Sequence, residues 1–191
     1  MALTIQSLAE RATREARGGF SEAESGINVT RAALLVPRAM QALAENVAND
    51  SLRRDLLTTE WEITLTDGEA DLTATDYDYL LKSALCYSVA FDGDDPERTT
   101  PLVWVKQPHK INWGGTTALG YYTMQGNTLK TRQANSGSLV DMRTLILIAN
   151  YIPALGSNAP VSNPYIIPPE LENEAITTLA MKLREAAKVG F

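Results

Sequence analysis

Gly126-Asn127 constrains this chain more than any other pair of residues. It stands between two β-rich runs, Leu119-Gly120-Tyr121-Tyr122-Thr123-Met124 and Leu129-Lys130-Thr131-Arg132. A two-residue hairpin loop needs positive φ, and Gly and Asn tolerate it. Taking those two residues as the loop sets the register. Gln125 then faces Thr128, Met124 faces Leu129, Thr123 faces Lys130 and Tyr122 faces Thr131. One face carries Tyr122, Met124, Leu129 and Thr131. The other carries Tyr121, Thr123, Lys130 and Arg132, which suits water. A second apolar run, Leu145 to Ile152, has almost no polar alternation, so it reads as a strand covered on both faces.

Helical periodicity appears at both ends of the chain. Residues 4–17 form a helix candidate with Leu8, Ala12 and Ala16 on one narrow face, stopped by Gly18-Gly19. Ser7 to Glu10 has capping-box spacing, or lies inside a helix begun at Thr4. A face this thin needs another surface to pack on. Residues 18–28 read as a polar linker apart from Phe20 and Ile27. Between Thr30 and Asn49, Val36, Met40, Leu43, Ala44 and Val47 follow the i, i+3, i+4 pattern. Pro37 marks either a helix start or a kink there. A further turn is expected over Leu52 to Leu57. The last helix, 169–188, opens on Pro169 and lines up Ile176, Leu179, Ala180, Leu183 and Ala187. Acidic residues crowd its start and basic ones its end, as the helix dipole favours.

Between these helices the chain is mainly β. Trp61 to Thr66 alternates, Asp67-Gly68 turns, and Glu69 to Thr73 returns. A two-residue loop sets Leu65 against Ala70 and Ile63 against Leu72, with Thr64 and Asp71 on the opposite face. Thr75 is placed to cap a short helix through Lys82. Leu85 to Phe91 and Pro101 to Val105 read as strands. Residues 133–143 are a polar loop, and 153–168 a Pro-rich connection. The expected fold is α+β: N-terminal helices and a long C-terminal helix packed with antiparallel hairpins. The expected division is an N-terminal helix and linker, 1–28, followed by a single domain, 29–191. That domain holds helices over 30–57, mainly β structure over 60–152, the Pro-rich segment and the final helix.

Composition narrows the function classes. The 191 residues carry a net charge of −6, and Lys and Arg never cluster beyond a pair. An adhesive nucleic-acid binder needs a basic face. No apolar run approaches the ~20 residues of a membrane helix. No secretion signal is seen, and the single cysteine, Cys86, excludes an internal disulfide framework, so folding in a reducing cytoplasm is expected.

The inventory of reactive groups is small. His109 is the only histidine, and Cys86 sits in an apolar run that favours an inert thiol. One His and one Cys do not make a zinc site. No phosphate loop and no nucleophile elbow is present. Asp92 to Glu97 is the densest acidic cluster but misses the calcium-loop pattern, with Glu97 where glycine is needed. No catalytic residue, metal or cofactor is therefore expected. Two alternatives stay open. Trp113 beside Gly114-Gly115, with Tyr121 and Tyr122, suits a carbohydrate- or peptide-binding module whose mark is an exposed aromatic cluster. Trp113 folded onto the core in a long turn fits equally. Glu60, Glu62, Asp76 and Asp78 suit a carboxylate hydrolase whose mark is one carboxyl pair in a cleft.

The order of features carries more information. Two N-terminal helices and an alternating hairpin lead to Pro101-Leu102-Val103-Trp104-Val105. Next come the Tyr121-Tyr122 strand with its Gly126-Asn127 turn, and Tyr151-Ile152-Pro153-Ala154-Leu155. Ile167-Pro168-Pro169-Glu170-Leu171-Glu172 then opens the final helix. This order resembles the phage head-to-tail adaptor family, the ring-forming neck proteins of tailed phages, including the tail-tubular type. The similarity runs from about Val29 onward, while Leu3 to Arg17 align with no part of the pattern. It implies a structural virion protein of the neck, assembled in the host cytoplasm. Such a protein forms a homo-oligomeric ring, usually of twelve subunits, beneath the portal. It extends the channel through which DNA passes without specific binding, and it docks a tail or nozzle protein. The terminal segment is the expected portal or subunit contact. Val189 and Phe191 would anchor in a partner pocket, Arg184 and Lys188 would pair with acidic partner residues, and Trp113 is a further contact candidate.

Overall fold

The computed structural model describes residues 3–66, 68–74, 77–82, 88–91, 100–104, 120–133, 144–155 and 166–189. Contacts divide the chain into two units. The first comprises Met1–Leu57 and Asn150–Phe191, and the second Thr58–Ala149. The boundary expected at residue 28 falls inside the first unit.

The first unit is built on three helices that pack on one another: α1 (Ile5–Arg17), α3 (Val29–Asn49) and α4 (Glu172–Lys188). Thr4 caps α1 in a reciprocal box with Ser7, so the helix begins at the earlier of the two possible caps. Its narrow face is buried, with Leu8, Ala9, Ala12 and Ala16 inside. Gly18 ends it at φ +58, a conformation that costs glycine nothing. The linker holds one unexpected element, a single helical turn α2 (Glu22–Ser25) capped by Ser21. Polar composition hid it, because Ser and Glu supply caps as readily as coil.

Helix α3 contains Pro37, which marks neither of its ends. Pro37 is exposed, on the side of the helix away from its buried stripe. The inward stripe is Leu35, Val36, Met40, Leu43, Ala44 and Val47, all buried. After α3, a 3-10 turn covers Arg54–Leu57. Arg53 donates to both carboxylate oxygens of Glu174, at 2.8 and 3.0 Å. A 3-10 turn, Pro169–Leu171, leads into α4 with Pro169 in its first turn, as expected. Ile176, Leu179, Ala180 and Leu183 are buried.

The second unit is a seven-stranded sheet in the order β1-β7-β3-β4-β5-β6-β2. The strands are β1 (Thr58–Thr64), β2 (Glu69–Asp71), β3 (Ser88–Phe91), β4 (Thr100–Trp104), β5 (Gly120–Gln125), β6 (Thr128–Gln133) and β7 (Thr144–Asn150). The β5–β6 hairpin has the register that its turn dictates, Met124 opposite Leu129 and Tyr122 opposite Thr131. Gly126 supplies the positive φ, +64. Tyr122, Leu129 and Thr131 are buried as expected. Thr123 is buried too, against expectation, because β5 is an interior strand of the sheet.

The fold is α+β with antiparallel pairing, and three local expectations need correction. First, β4 and β5 pair in parallel, Val103 with Tyr121 and Trp104 with Tyr122. Second, the Trp61–Thr73 hairpin closes only at Thr66↔Glu69. Beyond it, β2 pairs with β6 and β1 lies beside β7. Glu69 sits opposite Lys130 with a 2.8 Å ion pair, and the Thr131 hydroxyl donates to the Gly68 carbonyl at 3.0 Å. The two end strands of the sheet therefore meet at that turn. Third, residues 77–82 hold no continuous helix: Tyr77 and Lys82 are 3-10 positions with a turn between them, and Leu80 and Leu81 are buried. Thr75, residues 83–87 and the acidic run 92–97 lie outside the described residues.

Two expected outcomes test this packing. Leu43→Ala removes a fully buried side chain from α3 and should cost about 3 kcal/mol in urea denaturation. The phenol of Tyr151 donates to the Ile166 carbonyl at 2.9 Å, and burial pushes its pKa above the ordinary value of 10.0. The folded chain thus holds that proton more tightly than the unfolded chain. This contribution is full below about pH 10 and is lost as pH rises through the folded-state value. Tyr151→Phe should lose about 1 kcal/mol at neutral pH and show a shallower alkaline decline. An unchanged alkaline slope would assign the decline to other groups.

Candidate functional site

Helix α4 puts its apolar stripe inward and leaves the opposite face outward, so its last turn presents Arg184, Lys188 and Val189. Arg184 is already engaged. Its Nε donates to the Ala16 carbonyl at 3.2 Å and its Nη2 to the Glu15 carbonyl at 2.6 Å. Those carbonyls belong to the last turn of α1, which lacks intrahelical donors and carries the negative end of the helix dipole. Within the chain, Arg184 therefore caps the end of α1. Nothing in the sequence signals this, since the donor and its acceptors stand 168 and 169 positions apart.

Lys188 is exposed and makes no ion pair among the described residues. Val189 is 86% exposed. It lines a groove of about 480 Å³ between α3 and α4, whose apolar part is Leu35, Ala42, Ala186 and Val189. Arg38 and Glu45 from α3, and Lys182 and Glu185 from α4, border it. Lys182 and Glu185 pair with each other at 3.2 Å. Leu34, one turn before Arg38, is 69% exposed, and Met181 is 54% exposed. An apolar floor with charges of both signs at its edge is the composition of a protein-binding patch. The α3 wall was not anticipated.

The other candidates separate. Phe191, Trp113, His109, Cys86 and Asp76 lie outside the described residues. Tyr122 is buried, so it cannot join an exposed aromatic cluster. Glu60, Glu62 and Asp78 are exposed, and the two glutamates lie on one face of β1. Among the described residues no three His, Cys, Asp or Glu side chains group as a metal would require. No described helix is long and apolar enough to cross a membrane. No protein-family model matches this chain, and no curated protein sequence does either.

Arg184→Ala should lower stability by about 1 kcal/mol by releasing the carbonyls of α1. Lys188→Ala should stay within about 0.5 kcal/mol of the parent. Equal effects in chemical denaturation would mean that the capping contributes nothing.

Proposed function

We propose that this chain is a structural, non-enzymatic adaptor of a tailed-phage neck. Copies form a ring, of twelve subunits in the resembling family, beneath the portal. The ring continues the DNA channel and offers a docking surface to a tail or nozzle protein. Assembly takes place in the host cytoplasm. One observation carries the reading: the last turn of α4 holds Val189 almost wholly in water beside an apolar groove. Burying such a side chain in a partner recovers roughly 2 kcal/mol. The order of sequence features from Val29 onward supports the choice of partner, the portal. The net charge of −6 suits a channel wall that does not hold the DNA backbone.

Deletion of residues 189–191 tests it. The truncated chain should melt within a degree or two of the parent, since Val189 is outside the core. It should co-sediment with purified portal rings at least roughly tenfold more weakly. Unchanged portal binding, or no binding by the parent, would refute the reading.

A further inference from the structure

The three helices of the first unit are unequally seated. Helix α3 buries Leu35, Val36, Met40, Leu43 and Val47, and α4 buries Ile176, Leu179 and Leu183. Helix α1 packs on both, yet Leu8 is the only large apolar side chain it buries. The rest of its buried face is Ala9, Ala12, Thr13 and Ala16. Burial of an alanine methyl stabilises far less than burial of a leucine, so α1 gains least from the packing.

Thr13 weakens the seat further. It is 2% exposed, and its hydroxyl has no hydrogen-bond partner. A buried hydroxyl left unpaired carries its full desolvation cost, which is recovered when the helix moves into water. Beside this contact α1 and α4 leave an open groove of about 550 Å³, lined by Arg11, Arg14, Glu15, Asn173, Ile176 and Thr177. The remaining links are polar and lie near the surface. Arg184 donates to the Ala16 and Glu15 carbonyls, and Arg11 approaches Glu172 at 3.8 Å. Arg17 donates to the Ile27 carbonyl and to Glu22, both at 2.9 Å. Each of these exchanges for water at small net cost.

A pivot stands at the end of the helix. Gly18 and Gly19 have φ of +58° and +99°, and a Cβ at either would meet nothing within 4 Å. Residues 18–21 are all exposed, so no buried side chain anchors the connection there. The capping box of Thr4 and Ser7 lies within the segment that would move, so it travels with the helix.

We infer that α1 is a releasable strap, which swings off the α3–α4 pair as a unit about Gly18-Gly19 while α3 and α4 stay packed. Closed, it shields the apolar faces of all three helices. Open, it presents Leu8 and the alanine stripe, together with the part of α3 and α4 beneath them. The opening is local and costs less than global unfolding. It is a property of the helical unit alone and stands or falls apart from portal binding.

Hydrogen exchange of the full chain, followed by mass spectrometry, tests the release. Amides of residues 9–17 should exchange as one block, at least roughly a hundredfold faster than those of residues 36–47, and with a shallower dependence on urea. T13V puts a methyl where the unpaired hydroxyl stands and leaves helix propensity nearly unchanged. It should slow exchange in α1 roughly tenfold. T13S, which keeps the hydroxyl, should not slow it, and R184A should speed it roughly fivefold. Trypsin cleavage after Arg14 needs the open helix and should follow the same order. Exchange of α1 in step with α3 and α4 overturns the inference. So does a T13V chain whose α1 exchanges no more slowly than the parent's, or a T13S chain slowed as much as T13V. Should T13V melt below the parent, T13A removes the hydroxyl without added volume, and its failure to slow α1 overturns the inference equally.

Discussion

The helical unit depends on the chain coming back to where it left. It departs at Leu57 and returns at Asn150, and those residues are joined directly. The Tyr151 amide donates to the Leu57 carbonyl at 2.8 Å, and the Asn150 side-chain amide donates to the Arg54 carbonyl at 2.6 Å. Closing a 92-residue excursion in a flexible chain would cost about 4 kcal/mol in entropy. The sheet supplies that closure itself, because the first strand β1 and the last strand β7 lie side by side. With the ends held, Pro169 and the α4 stripe are delivered to α1 and α3.

Helix α1 shows how much rests on that delivery. It is thirteen residues long, near the lower limit for a helix that holds in water by itself. Thr4 secures its start and Arg184 of α4 its last carbonyls. Its apolar face is mostly alanine, which permits close approach but buries little area. The same approach forms the groove that leaves Arg11 and Arg14 at its lip. Packing and surface chemistry here have one cause, a small-residue face drawn tight against α4.

The parts legible in the sequence are those governed by local rules. The turn at Gly126 set a six-residue register because period and φ requirement coincide there. The stripes of α3 and α4 followed from 3.6-residue spacing, and Pro169 from its fixed φ. The closure of Thr66 on Glu69 was legible, but the neighbour chosen by β2 was not. That choice was made by Lys130 and Thr131, some sixty residues away. The parallel pairing of β4 with β5 is likewise a decision of topology rather than of either strand. At the candidate site, exposed Val189 was legible as a residue beyond the amphipathic stripe. The engagement of Arg184 was not, since a cation near a helix end looks the same whether it serves its own helix or another. Pro37 does not start α3, because a proline on a solvent-facing turn can stand inside a helix.

The discontinuity of the helical unit also sets a schedule. During translation α1 and α3 leave the ribosome before the sheet is made, and α4 comes after it. At roughly 5–20 residues per second, α4 trails α3 by roughly 6–25 s. Through that interval Leu8, Leu43 and Val47 have no third helix to cover them, whereas the intervening sheet residues are complete and free to pair. The nascent protein thus passes through a state with one unit finished and the other holding two uncovered amphipathic helices. Such surfaces are what holdase chaperones bind, so the yield of folded chain should follow chaperone supply and the pace of elongation.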